Sequence, residues 1–218
     1  MTESLVTLEV CRVRARDVAG LVVSGRLAVR RRRAEPGVVL AKLLATTGPR
    51  FVPRDVRPTR WGLLTCRTDG RPAASWSPSA AIESATLRLR PLASRGRWDG
   101  VDPFPDLADD AGGGPVAVLT RASLRVRHVR RFYADVPAIA AEVGDRMAFG
   151  FGFGEAPLLR QGTFSVWDST NALATFRRDA HAHAAALRET PRIGWYAEEL
   201  FARFSIVDAA GSIDGRSL

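Results

Sequence analysis

The sequence predicts an α+β fold in which two tandem ferredoxin-like (split βαβ) units pack as an α+β barrel. Three observations carry this reading. Short apolar strands alternate with helical segments twice along the chain, and a Gly/Pro/Asp-rich stretch from Gly96 to Pro115 divides it near the middle. Each half also ends on a related turn, Gly96-Arg97-Trp98-Asp99-Gly100 and Gly211-Ser212-Ile213-Asp214-Gly215. The expected organisation is one unit over residues 1–100, a linker over 101–114 and a second unit over 115–218 that carries the site.

In the first half, LVTLEVCRVR (5–14) reads as a strand and Ala19 to Arg33 as a helix. VVLAKLLATT (38–47) and RWGLLTCRTD (60–69) are strands, a short helix is expected near Ala80–Ser84, and TLRLRPLAS (86–94) is a strand. In the second half, PVAVLTRASLRV (115–126) is a strand and Arg131 to Arg146 a helix with a proline break. MAFGFGFGE (147–155) and QGTFSVWDS (161–169) are strands, Ser169 to Thr190 is a long helix, and LFARFSIVDA (200–209) is the last strand. Gly62 and Gly162 open equivalent third strands. Two such sheets are expected to pack face to face.

Composition narrows the function. The 218 residues are 46% hydrophobic and 25% charged, enough to bury a core. No apolar run approaches the roughly 20 residues of a membrane helix, and the N-terminal text is not a secretory signal, so a soluble cytoplasmic protein is expected. Two cysteines, Cys11 and Cys66, make neither a disulfide framework nor a thiolate zinc cage. The net charge is +9, but Lys42 is the only lysine among 32 basic residues, a skew that reads as codon bias. Arg30-Arg31-Arg32-Arg33 reads as a solvated helix end, and without a base-reading element no specific nucleic-acid partner is expected.

The strand Met147-Ala-Phe-Gly-Phe-Gly-Phe-Gly154 concentrates the functional signal. Period-two alternation sets Phe149, Phe151 and Phe153 on one face and leaves Gly150, Gly152 and Gly154 bare on the other. Such a face suits either a flat ligand or a closely packed helix. The helix after Trp167 has N-cap candidates in Asp168, Ser169 and Thr170, and its apolar stripe runs Leu173, Phe176, Ala180, Leu187. His183 falls about 50° from the centre of that stripe and His181 about 110° away. An inward imidazole in an apolar, aromatic setting suits the proximal ligand of a haem. Three histidines in all (His128, His181, His183) do not build a three-His zinc site, and no nucleophile-elbow, Walker or Rossmann motif is present. Glu198-Glu199 reads as a structural pair on a helix turn.

These residues resemble the spheroidene monooxygenase family of carotenoid-modifying oxygenases. The matching stretches in the second half are Pro115–Ala122, Phe151–Glu155 with Pro157–Gln161, Thr163–Trp167, His183–Arg188 and Gly194–Phe204. Weaker matches are Ala41–Leu44, Phe51–Pro53, Arg60–Leu64 and Gly96–Gly100 with Pro103-Phe104. The resemblance implies a monooxygenase of dimeric α+β barrel architecture that uses haem b, with His183, twelve residues before Trp195, as the iron's axial ligand. Phe149, Gly150, Phe151, Gly152, Trp167 and Trp195 are the candidate cofactor surroundings. Lys42, Arg121 and Arg160 are candidates for propionate anchoring or distal polarity, since such cations suit carboxylates. The text after Trp61 departs from the family, with Cys66-Arg67-Thr68 in place of a more aromatic run. The expected substrate is therefore an apolar small molecule, a carotenoid or a smaller secondary metabolite, oxidised with O₂ and an electron donor or with peroxide. Homo-oligomerisation is left open, as are a haem-dependent dehydration or rearrangement of an N–O substrate, a non-catalytic haem carrier, and a cofactor-free oxygenase or cyclase.

Overall fold

The strand β1 (Leu5–Arg12) is buried on both faces, because it lies in a sheet with the barrel core on one side and a helix on the other. In this computed structural model the described residues are 3–48, 55–109, 113–134, 146–156, 159–179 and 193–217. The chain continues through α1 (Val18–Arg33), β2 (Val38–Thr47), β3 (Val56–Arg67) and β4 (Glu83–Gly96). The second half holds β5 (Val116–Leu124), a helical segment at 129–134 (α2), β6 (Phe149–Ala156), β7 (Arg160–Trp167), α3 (Thr170–Asp179), β8 (Tyr196–Ile213) and the two-residue β9 (Arg216–Ser217).

Strands β1 to β4 lie in the order β4-β1-β3-β2, and β5 to β8 repeat it as β6-β7-β5-β8. This is the strand order of a split βαβ unit, twice. The two sheets do not stack face to face as expected. They join along both edges, β2 to β6 and β4 to β8, into a closed antiparallel barrel of eight strands. Closure satisfies the edge strands that two stacked sheets would leave open. The lumen is packed with apolar side chains from both halves, among them Leu8, Leu64, Leu87, Phe151, Phe164 and Phe204.

Three further expectations change. No helix forms near Ala80–Ser84: Pro72 and Pro78 interrupt the segment, Glu9 holds the Trp76 backbone, and Ile82 N–H bonds to Arg12 O, so the chain enters β4 at Glu83. The arginine run is not wholly solvated. Arg32 is buried against Glu9 at 2.7 Å and donates to Thr65 Oγ1, pinning α1 to the outer face of β1 and β3. Glu198 and Glu199 lie in β8, not on a helix turn, so they face opposite sides of the sheet. Ser169 does cap α3, its Oγ accepting from Ala172 N–H.

The two related turns close opposite ends of the β4–β8 seam. Asp99 and Asp214 sit at φ 53° and 51°, and Trp98 and Ile213 plug the barrel core, fully buried. Phe104 also packs inside, edge-on to Phe204, so residues after the first turn belong in part to the core. The glycines that open the turns have φ 99° (Gly96) and 92° (Gly211). A Cβ on Gly96 would lie 2.0 Å from Glu199 O, and one on Gly211 2.2 Å from Ser84 O, where backbone cannot yield. Gly211→Ala is therefore expected to lower stability by about 2–4 kcal/mol from strain and clash together. Gly215→Ala, also at positive φ but with open space around it, should cost only about 1 kcal/mol. Denaturant melts of the two variants check the contrast.

Candidate functional site

The second half presents a face of small residues on the outside of its sheet. Cross-strand register sets Gly150, Ser165 and Val118 in one row, Gly152, Thr163 and Thr120 in the next, and Gly154, Gln161 and Ala122 in the third. Three strands by three alternate rows span roughly 10 by 14 Å from strand spacing and rise. The first row is packed under the chain's own side chains, with Val118 and Ser165 buried, which leaves the other two rows as the floor. The alternation that bares this face sends Phe149, Phe151 and Phe153 into the barrel lumen, where they pack with Phe164 and Trp98. The glycines and the phenylalanines thus line opposite sides of β6. Gly150 is met from within the chain, since a Cβ there would lie 2.5 Å from Met147 Sδ; at Gly154 the nearest atom would be 3.8 Å away.

Aromatic walls stand at both ends of the floor. At one end Trp167 stacks obliquely on Phe176 of α3 (4.8 Å, 35°) and donates to Ser165 Oγ. Leu173, Val116 and Val118 complete this cluster, which bears out the inward stripe of α3 at Leu173 and Phe176. At the other end Phe132 of α2 meets Tyr133, Trp195 and Tyr196 edge to face at about 6 Å. Tyr133 OH donates to Gln161 Oε1, and burial raises its phenol pKa, so it stays a donor. The Thr120 and Thr163 hydroxyls share a 2.6 Å bond at the centre of the floor. The face is flat, weakly polar at its middle and apolar at its margins, which suits a planar apolar ligand.

The two cysteines stand apart from this face. Cys66 is in the barrel core and Cys11 beneath α1. Burial pushes both thiols up, Cys11 to about 12, so neither is poised as a thiolate ligand. Among the described residues there is no cluster of three or more His, Cys, Asp and Glu that could hold a metal ion. His181 and His183, with Ala180 and Leu187 of the expected stripe, lie outside the described residues.

Lys42, Arg121 and Arg160, far apart in sequence, do converge, at one mouth of the barrel around Asp99. Lys42 pairs with Asp99 and with Glu155 at 3.0 Å. Arg121, its side chain 1% exposed, pairs with Glu198, with Glu155 at 3.2 Å and with Asp99 at 3.4 Å; Arg160 reaches Asp99 at 3.6 Å. Glu198 also accepts the N–H groups of Asp99 and Gly100, fixing the turn, and both Lys42 and Arg121 lie over the Trp98 ring. The three cations were expected to await a carboxylate ligand; the chain supplies carboxylates for all of them. Partial burial raises Asp99 and Glu198, but their cations and, for Glu198, the two backbone donors outweigh it, and both end below their usual range. The opposite mouth repeats the plan with Arg60 on Asp214, and with Glu83 joined to Arg12 and to the Asp214 N–H. Asp99 and Glu155 have no role in the sequence reading, although the repeated turn that carries Asp99 is visible there. Glu198, read as structural, is structural, as an ion-pair partner and turn acceptor on a strand.

No family model matches the chain. The spheroidene monooxygenase of Rhodobacter capsulatus is 34% identical over 196 residues, covering 84% of this chain and 81% of that protein. The spheroidene monooxygenase of Rubrivivax gelatinosus is 32% identical over 200 residues, covering 84% and 74%. Among solved structures, an aldoxime dehydratase in complex with butyraldoxime matches at a TM-score of 0.59 and 11% identity, covering 95% of this chain and 80% of that one. A second aldoxime dehydratase matches at 0.57 and 13%, covering 95% and 82%. At such identities the likeness is one of fold.

Proposed function

Since the chain belongs to the spheroidene monooxygenase family, we propose that it is a haem-dependent monooxygenase that places one oxygen atom on an apolar substrate, a carotenoid or a smaller secondary metabolite. The observation that carries the haem reading is the floor of small residues on β5, β6 and β7 between two aromatic walls. A planar macrocycle needs such a surface; Gly154, where an added Cβ would meet nothing closer than 3.8 Å, with Thr120 and Thr163 beside the buried Gly152, supports the reading. His183 is the proposed axial ligand. It stands seven residues beyond Phe176, a spacing that on a helical path returns to the face Phe176 turns toward Trp167. Haem supplies the activation of O₂ or peroxide; the chain's part is placement and shielding.

That part divides among described residues. Trp167, Phe176 and Leu173 exclude water from one end, and Phe132 and Trp195 shape the other. Tyr133 and the threonine pair are the polar groups within reach of the floor, and they orient a substrate oxygen or hold a proton at the phenol oxygen. Lys42, Arg121 and Arg160 act in this reading on the scaffold, fastening the Trp98 turn so that the sheet behind the floor stays rigid. The oxidation adds one oxygen atom to the substrate and sends the other to water. It consumes two electrons from an external donor with O₂, or none with peroxide.

Protein produced with haem supplied should show a stoichiometric Soret band and oxidise an apolar polyene with O₂ and a reductant, or with peroxide. Absence of haem would refute the cofactor assignment. Dehydration of an aldoxime by the haem-loaded protein, with no oxidation of any apolar substrate, would replace the reaction by the N–O alternative.

A further inference from the structure

The turn that leads from β5 into α2 is built for more than connection. Residues 125–131, Arg-Val-Arg-His-Val-Arg-Arg, hold four arginines and no acid, and Val126 at the tip is 76% exposed. The duplicated fold contains its own control. The 3₁₀ turn Val126–His128 has a counterpart in Ala15–Asp17, each preceded by an extended arginine, Arg125 and Arg14. Just before them, Leu124 N–H bonds to Leu159 O and Val13 N–H to Thr59 O. The same backbone is thus made in the first half with Ala15, Asp17, Ala19 and Gly20 where the second half has Val126, His128, Arg130 and Arg131. Folding does not demand an exposed valine or the added positive charge.

We infer that this turn is a docking surface for an anionic lipid bilayer, with Val126 entering the acyl boundary and the arginines on headgroup phosphates. Charge complementarity singles out this occupant: an exposed branched apolar side chain ringed by arginines matches an interface that is negative above and apolar below. Beneath the tip, Trp195 is buried under His128, Phe132 and Arg131, the guanidinium lying over its ring at 5.3 Å, so the turn is braced on the aromatic wall. The same aromatic wall bounds the floor described above, so docking there sets the site's edge against the phase that dissolves an apolar substrate. No helix among the described residues is long and apolar enough to cross a membrane, and the contact is peripheral. The inference rests on the proposed apolar substrate only for its purpose, and its test involves neither haem nor turnover.

The test is cosedimentation of the full chain with vesicles of phosphatidylglycerol and phosphatidylcholine in equal parts, and with phosphatidylcholine alone, at near-physiological salt. The wild type should bind the anionic vesicles and not the neutral ones. Val126→Asp should weaken binding by about tenfold, since it removes one buried apolar side chain. Arg127→Glu with Arg130→Glu should weaken it by on the order of tenfold or more. Exposed positions leave the fold intact, and an unchanged thermal melt verifies that. The control is Arg30→Glu with Arg31→Glu on α1, which makes the same change in net charge and should retain most of the binding. The inference is overturned by a wild type that ignores anionic vesicles or by turn variants that bind as well as it does. It is equally overturned by a control pair that loses as much binding as the turn pair, since attachment then follows net charge alone.

Discussion

His183→Ala should abolish stoichiometric haem binding: the Soret band of the purified protein disappears or collapses to a weak, heterogeneous form. His181→Ala should leave it in place. Taking the path of α3 onward at about 100° per residue, His183 lies within roughly 20° of Phe176 and His181 about 140° away. Phe176 is buried against Trp167, and the expectation from the sequence is that a helical path carried on from α3 returns to this face at His183. An axial imidazole also needs its second nitrogen satisfied, and Asp179, four residues before His183 in the sequence, is the carboxylate at one-turn spacing for that role. Added imidazole should restore part of the band in His183→Ala by occupying the vacated position. If His181→Ala loses the haem and His183→Ala keeps it, the helical phase is wrong. If both keep it, His128 is the remaining histidine to test.

The second large effect is on stability. Arg121→Met removes the cation that Glu198, Glu155 and Asp99 share, leaving Glu155 buried with Lys42 alone. Breaking a buried ion pair from one side costs about 3–5 kcal/mol, so the midpoint should fall by roughly 10 °C in a chain of this size. Arg121→Lys should recover only part, because an ammonium does not reproduce the planar fork that meets three carboxylates. The loss should depend on pH. Asp99 and Glu198 titrate in the folded protein below their usual range, so their stabilisation is present above about pH 5 and lost as pH falls through the folded pKa values. The gap between wild type and Arg121→Met is thus widest near neutrality and narrows in acid. Thermal melts from neutral pH to about pH 3 check both the size and the slope. A gap that widened in acid would show that the cluster does not act through ionised carboxylates.

Much of the fold was legible because its strands advertise themselves locally. β2 was read at Val38 to Thr47 and forms there, and the GFGFG alternation sorted lumen from outer face correctly. What escaped notice is non-local. Glu83 became the start of a strand through Arg12, 71 residues away, and no window around Ala80 contains that partner. Glu198 looked like half of an idle pair because its cation, Arg121, lies 77 residues upstream; Lys42 and Asp99 are 57 apart. The sequence reading did pick Lys42, Arg121 and Arg160 as one group, from residue type and the resemblance. It lacked the carboxylates that occupy them, and so assigned these cations to a ligand. Edge closure was hidden for the same reason: pairing of β4 with β8 depends on strands from opposite ends of the chain.

That pairing has a kinetic meaning. The β4–β8 ladder joins residues 104 positions apart at Gly96 and Leu200 and 128 apart at Ser84 and Ser212. Bringing such distant segments together costs chain entropy before any contact repays it, and contacts of this kind slow folding across small proteins. Each half can assemble its four strands from pairings within itself, but the two seams must wait for both halves. Until they form, the strands at these seams present unpaired edges, the condition in which chains associate with one another instead of closing on themselves. Closure of the two seams, β2 to β6 and β4 to β8, is therefore expected to be the slowest event in refolding, and the interval before it the one in which a newly made chain is most exposed to aggregation.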